Sequence, residues 1–409
     1  MPALSNIRVV DLTHVVAGPF CTFQLAVMGA DVIKIEPPLK PDMCRAKSTD
    51  FPSGEDGLGP FFTSQNANKK SLPVDLDSED GRALVFRLIE SADVLVENYR
   101  SGAMAEIGLD YESVKRIRPD IIYCSMTGFG QTGPKGQHTA YDNVIQAFSG
   151  LMAANGDETT APVKIGPPIL DFGTGIQAAF AISCALLQRA HTGQGQYIDI
   201  AMVDAALMLM SCNLTYLQQN GTVPPLGGND SRFNAGYCCY TASDGEQLML
   251  GAFTGTQVAD LWAVLGDADY GERFRGAQAP AMIPSVDSDK RRIAEIIRTR
   301  TAQEWEDELN TNKVPAARVR TLDQTLRENQ LDYRSVLQTP ESADPDNAAH
   351  RRQSFPTAAF SYLDDGPALK TPPPVFAEHA HEILGGLGYS SEEILDLANR
   401  GVIALADDI

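Results

Sequence analysis

The sequence predicts an α/β fold whose larger domain is built on a parallel, nucleotide-fold-like sheet. Residues 7–12 are β-branched and apolar, lead into a Gly18-Pro19 turn and an apolar helical spacing to Met28, and are followed by a second strand-like run, 31–36. This is the cadence of a βαβ unit, in which a helical crossover returns the chain to pair in parallel. The cadence then repeats: helical spacing over 80–91, a strand over 93–97, a helix over 111–117 and a strand over 120–126. Alternation of this kind is the signature of an α/β sheet covered by helices. No G-x-G-x-x-G follows the first strand, so a dinucleotide has no positive support.

Residues 141–189 are helical in pattern but interrupted between Gly150 and Leu170 by a loop rich in Gly, Pro and Thr, of a length that usually carries function. A strand over 196–201 and a helix to about Gln219 follow. The predicted division is a large domain over residues 1–220, a turn-rich linker over 221–233, a small domain over 234–327 and a return over 328–409. The small domain carries its own strands and the helices of Trp262 and Trp305, and the tail from Pro372 is again helical.

Against 53 acidic residues stand 33 Lys plus Arg, a formal charge of −20, which repels a nucleic-acid backbone or an anionic membrane surface. Seven scattered cysteines without C-x-x-C spacing read as reduced, apolar thiols in a cytoplasmic protein, not as a disulfide or zinc framework. The N-terminus has no basic segment followed by an apolar one, and the apolar stretch 197–217 carries Asp199 and Asp204, too polar to span a membrane.

Among candidate reactive groups, Asp171 stands out. The apolar pair Ile169-Leu170 delivers it onto Gly173 and Gly175, which open a helix over 176–188. Glycines allow close approach of a substrate, and the amides of a helix N-terminus stabilise an oxyanion. The competing reading is that Asp171 merely caps that helix. His14, after the first strand, is either a base or a structural histidine. His379 and His381 are two apart and so on different helix faces, which argues against a metal. No G-x-S-x-G elbow, P-loop or thiol-catalysis signature is present.

Several segments together are similar to the class III CoA-transferases of the CaiB/BaiF type, the family of formyl-CoA:oxalate and carnitine CoA-transferases. They are Val10-Asp-Leu-Thr-His-Val-Val-Ala-Gly-Pro19, Gly29-Ala-Asp-Val-Ile-Lys-Ile-Glu-Pro37, Asn68-Lys-Lys-Ser71, Val96-Glu-Asn-Tyr-Arg100 and Gly128-Phe-Gly-Gln-Thr-Gly-Pro134, then Asp171-Phe-Gly, Thr192-Gly-Gln-Gly-Gln196, Val314-Pro-Ala-Ala317 and Glu378-His379. Each is weak alone; their order along the chain is specific. The resemblance implies a large domain assembled from both chain ends, a smaller inserted α+β domain, and an interlocked homodimer. It implies CoA transfer between carboxylic acids through an aspartyl anhydride and an aspartyl-CoA thioester on Asp171, with an acyl-CoA as substrate and no bound cofactor or metal. Val16, Tyr141 and Gly173 would support the site, and Val16, Ala17, Asn98, Tyr99, Arg100 and Lys135 would contact CoA.

The chain departs from the family in places. Val16 stands where formyl-CoA transferase has a catalytic glutamine, and Pro37, Asp77, Glu106 and Thr139 stand where it has basic CoA contacts. That argues against oxalate and leaves the CoA phosphates to Arg100, Lys135 or Arg45. The alternatives are a 2-methylacyl-CoA racemase, whose paired bases are replaced here by Tyr141 and by Phe253-Thr254, and a non-catalytic CoA-binding partner.

Overall fold

The computed structural model describes residues 1–46, 57–341 and 353–406. They form two compact units, the larger of residues 1–151, 164–218 and 330–409, the smaller of 152–163 and 219–329. Residues 152–163, expected in the large domain, belong to the smaller unit, and the return to the larger one falls at 330.

In the larger unit β1 (Arg8–Asp11), α1 (Ala17–Val27) and β2 (Asp31–Glu36) form the first βαβ unit. Next come β3 (Lys69–Pro73), α2 (Glu79–Ile89), β4 (Val94–Glu97), α3 (Tyr111–Ile117) and β5 (Ile122–Thr127). Then follow α4 (Asp142–Ser149), α5 (Ile169–Thr192), β6 (Gln196–Ala201) and α6 (Met202–Leu209). The Oγ of Ser78 accepts the Gly81 amide to start α2, and Asp110 accepts the Ser113 amide to start α3, satisfying donors that a helix N-terminus leaves free.

Among the described residues six strands pair in parallel in the order β3-β2-β1-β4-β5-β6. β3 escapes a reading by pattern because Lys69-Lys70-Ser71 is polar. In the fold Lys69 is buried and its ammonium pairs with Asp11 at 3.0 Å, so a charge occupies a core position. Alternate residues divide between two cores: Val10, Leu12, Ile33, Leu95 and Tyr123 face one side, and Val9, Val32, Val96, Cys124 and Met126 the other. Helices on both faces bury β1 to β5, as parallel sheets require, while the edge strand β6 stays largely exposed.

The smaller unit has a three-stranded antiparallel sheet, β7 (Cys239–Thr241), β8 (Gln247–Leu250) and β9 (Ala316–Arg318), with helices α7 (Gly255–Val264), α8 (Val286–Ile297) and α9 (Ala302–Thr311). Capping boxes, Thr254 with Gln257 and Thr301 with Glu304, start α7 and α9. Trp262 and Trp305 lie in its core. The chain then returns, and α10 (Ala380–Gly386) and α11 (Ser391–Asn399) supply Ile383, Leu384, Ile394 and Leu397 to the first face of the large sheet.

Helix α5, 24 residues long, is long and apolar enough to cross a membrane. Its buried stripe of Ala178, Ile182, Ala185 and Leu186 sits in the second core together with residues of α1, while Ile176, Phe180 and Leu187 on the same helix are exposed.

Candidate active site

The neighbours β1 and β4 are where the strand order reverses, and in doubly wound sheets ligands bind in the crevice beyond the strand C-termini at that point. There the structure has a cavity of about 90 Å³. Its walls are residues 14–17 after β1, Asn98 after β4, residues 126–128 at the end of β5, Ala140 and Tyr141 before α4, Asp171 and Thr174 on α5, and Met202.

The turn after β1 is held by buried charge. Asp11 accepts the Thr13 amide at 2.9 Å and its hydroxyl at 2.5 Å. Lys34 donates to the Thr13 carbonyl at 2.7 Å and pairs with Asp42 at 3.3 Å. Asp42 in turn accepts the Val15 amide at 3.2 Å. Asn98 brackets His14, its Oδ1 accepting the His14 amide at 2.9 Å and its Nδ2 donating to the carbonyl at 2.8 Å. These contacts hold Val15 at φ +69°, a conformation that costs a β-branched residue on the order of 1–3 kcal/mol. The chain then enters α1 with the amides of Val16, Ala17 and Gly18 donating to no described residue. Two of these residues, Val16 and Ala17, line the cavity, so it is bordered by unpaired amides at a helix N-terminus, an arrangement that favours negative charge.

Asp171 is the third residue of α5, not a cap and not on a loop ahead of the helix. Asp171 is 9% exposed, and its carboxylate accepts no hydrogen bond from a described residue. The capping is done instead by Asp142 of α4, whose Oδ2 accepts the Leu170 amide at 2.7 Å and the Asp171 amide at 3.3 Å. The α5 amides expected to meet an oxyanion are thus already occupied, and the free set belongs to α1. Burial, and secondarily the negative charge of Asp142, push the Asp171 carboxyl up to about 7. Beside it, the hydroxyl oxygens of Thr127 and Thr174 are buried without a partner among the described residues. A buried polar atom without a partner costs free energy, which a bound polar group recovers.

The glycines after Asp171 lie inside the helix, where they serve packing. A Cβ at Gly175 would stand 2.7 Å from the Ala17 carbonyl oxygen, so this glycine lets α5 press against α1 and brings Asp171 to the Val16-Ala17 amides. Gly173 faces Leu209 of α6 and does not line the cavity.

Of the other predicted residues, Val16, Ala17, Asn98 and Tyr141 line the cavity, with Tyr141 60% exposed at the start of α4. Tyr99 stands one layer back, its ring 5.2 Å from that of His14. Arg100 lies outside it, paired with Glu106, and Lys135 lies over the Phe148 ring at 5.3 Å. Arg45 is not a phosphate contact: it is 2% exposed, pairs with Glu36 at 2.7 Å and covers the Phe62 ring. His14 reaches the cavity, and burial holds its imidazole below the usual value, in the neutral form near pH 7. The nearby Cys44 thiol is pushed up to about 12 by burial and by Asp42, which removes it as a thiolate nucleophile.

Asp42, Thr127, Asp142 and Thr174 were not legible as site residues. Thr174 alone carried a signal, being three residues beyond Asp171 and so on the same helix face.

Residues 4–380 match the sequence pattern of the family described as CoA-transferase family III. The chain is 35% identical to a succinate–glutarate CoA-transferase of Agrobacterium fabrum, over 84% of this chain and 86% of that one. It is 32% identical to a formyl-CoA:oxalate CoA-transferase of Streptomyces coelicolor, over 98% and 99%. Its fold superposes on the crystal structure of a CAIB/BAIF family protein from Brucella suis with a TM-score of 0.82 at 31% identity, covering 94% of this chain and 99% of that one.

Proposed function

The chain belongs to CoA-transferase family III and is an enzyme of that class, and from that premise we propose that Asp171 is the nucleophile of CoA transfer from an acyl-CoA to a carboxylic acid. The observation that carries this reading is a buried carboxylate, free of described hydrogen-bond donors, in one cavity with the unpaired backbone amides of Val16 and Ala17 at the switch point of the sheet.

In this mechanism the ionised Asp171 attacks the thioester carbonyl of the donor, and CoA thiolate leaves as a mixed anhydride forms. The thiolate attacks the Asp171 acyl carbon, releasing the donor acid and leaving an aspartyl-CoA thioester. The acceptor carboxylate attacks that thioester, expels CoA thiolate and forms a second anhydride. Attack of the thiolate on the acceptor's acyl carbon gives the new acyl-CoA and regenerates Asp171. Each step exchanges one activated acyl bond for another, so the thioester's energy is kept. The Val16 and Ala17 amides would stabilise the tetrahedral oxyanions, and the Thr127 and Thr174 hydroxyls would orient the reacting carboxyls.

Succinyl-CoA is the proposed donor, in keeping with the relative named for succinate and glutarate; the acceptor is a carboxylic acid on a separate molecule or on the same one. We further propose a homodimer, interlocked as the family resemblance implies. Its support is the exposed apolar row of Ile176, Phe180 and Leu187 on α5, with Met208 and Leu209 on α6, because a contiguous apolar patch marks an interaction surface. Seven free cysteines support a cytoplasmic setting.

Mass spectrometry after incubation with succinyl-CoA tests the nucleophile. A CoA-mass adduct on the Asp171 peptide, converted by hydroxylamine to a hydroxamate, is expected in the native protein and absent from Asp171→Ala. Exchange that persists in a folded Asp171→Ala sample rejects the assignment. Exchange of an α-proton in deuterated water without any adduct would point to a racemase instead.

A further inference from the structure

The face of the sheet opposite the Asp171 cavity holds a larger cavity, of about 320 Å³, that shares none of its lining residues. The pleat explains the separation. Met126 faces the core that contains α1 and α5, whereas Tyr123 and Leu95 face the other core, and Ser125 and Glu97 continue those positions two residues further on.

Three tyrosines of this cavity, Tyr111 of α3, Tyr123 of β5 and Tyr197 of β6, pack together with ring centroids 5.2–5.9 Å apart. The Tyr111 ring already attracts a cation, with the Lys115 ammonium 5.3 Å from its centroid. At the base lies Glu97, 3% exposed, which accepts the Ser125 hydroxyl and, at 2.8 Å, the Tyr99 amide, but pairs with no described cation. Asp110 and Glu112 add negative charge to the wall. The one cationic side chain among the lining residues, Arg100, is paired with Glu106. A buried carboxylate served only by neutral donors lacks charge compensation, and burial pushes Glu97 up to about 7 against those two hydrogen bonds. Aromatic walls with a carboxylate suit one chemistry: a cation whose alkyl groups meet the rings while its charge meets the acid. The volume admits a small molecule and not a polymer.

We propose that this cavity binds a small organic cation, an alkylammonium, with Glu97 as counter-ion and the Tyr111, Tyr123 and Tyr197 rings as its walls. The site is connected to the catalytic face through two adjacent residues. The amide of Tyr99 is held by Glu97 while its ring packs on His14, and Asn98 brackets the His14 backbone. A ligand that engages Glu97 therefore acts on the residue against which the strained turn after β1 is packed.

Calorimetric titration of the full-length protein with tetramethylammonium chloride tests the site, with sodium chloride and the neutral near-isostere tert-butanol as controls. Saturable binding of tetramethylammonium and none of tert-butanol is expected. Glu97→Gln and Tyr197→Leu should each weaken it by about tenfold, in variants whose circular dichroism matches the native protein. If Glu97→Gln does not fold, Tyr197→Leu carries the test, because that ring stands on the edge strand and is partly exposed. Absence of saturable binding, equal binding of tert-butanol, or binding lost in Asp171→Asn yet unchanged in Glu97→Gln overturns the proposal.

Discussion

At the residue scale, the environment of Asp171 sets both its reactivity and its cost. A carboxyl pushed up to about 7 is a stronger nucleophile than an ordinary aspartate once ionised, but near neutrality only part of it is ionised. The rate of CoA-adduct formation should rise about tenfold per pH unit below that value and level off above it, as single-turnover measurements between pH 5.5 and 8.5 would show. Stability runs the other way. Between 3.8, the unfolded value, and about 7 the folded protein holds a proton on Asp171 that the unfolded chain has lost, so this group destabilises the fold increasingly as pH rises through that window. Asp171→Asn should therefore be more stable than the native protein at pH 8, by on the order of 3 kcal/mol, with the difference vanishing near pH 4. Denaturant unfolding at the two pH values measures it.

At the element scale, the site is a product of two helix N-termini placed side by side. α5 brings the carboxylate and α1 brings the amides, and Gly175 permits the approach. Gly175→Ala puts a Cβ against the Ala17 carbonyl and should cost about 1–3 kcal/mol while slowing adduct formation, measured by thermal unfolding and by the loading assay. Asp142→Ala removes the cap of α5 and should cost about 1–2 kcal/mol; it also removes the charge that helps raise Asp171, so the midpoint of the loading profile should move to lower pH. The setting among glycines singles out Asp171 as a candidate but leaves both a helix cap and a nucleophile open, and it is the family resemblance that favours the nucleophile. That the helix begins at Ile169 was not legible, because Gly173 and Gly175 read locally as helix breakers and only their contacts with Leu209 and Ala17 show why they are tolerated.

At the scale of the whole molecule, charge and exposed apolar surface set the behaviour in solution. With a formal charge of −20 the chain repels its anionic substrate at long range, so kcat/KM for an acyl-CoA should rise as salt goes from about 10 to 150 mM and the Debye length shortens. The proposed homodimer predicts a sedimentation mass of two chains. Phe180→Asp, which places a charge in the exposed row on α5, should shift it toward one, and an unchanged mass for both proteins at the single-chain value rejects the dimer.

The sequence by itself determined the parallel α/β architecture, because hydrophobic periodicity and turn residues are local properties that the backbone obeys wherever burial permits. It also determined the family, through the order of short motifs along the chain, and that resemblance is what favours Asp171 as a nucleophile over a helix cap. Only the tertiary structure decided which groups meet. Lys69 in β3 is polar by pattern and buried in fact, since Asp11 lies 58 positions away in sequence and 3.0 Å away in space. Arg45, a surface phosphate contact by residue type, is instead held in the interior by Glu36. Asp142 takes the capping role that was the competing reading of Asp171, and the free amides lie on α1 and not α5. Charge pairing and capping are long-range choices among several chemically eligible partners, and the packing of the strands and helices selects between them.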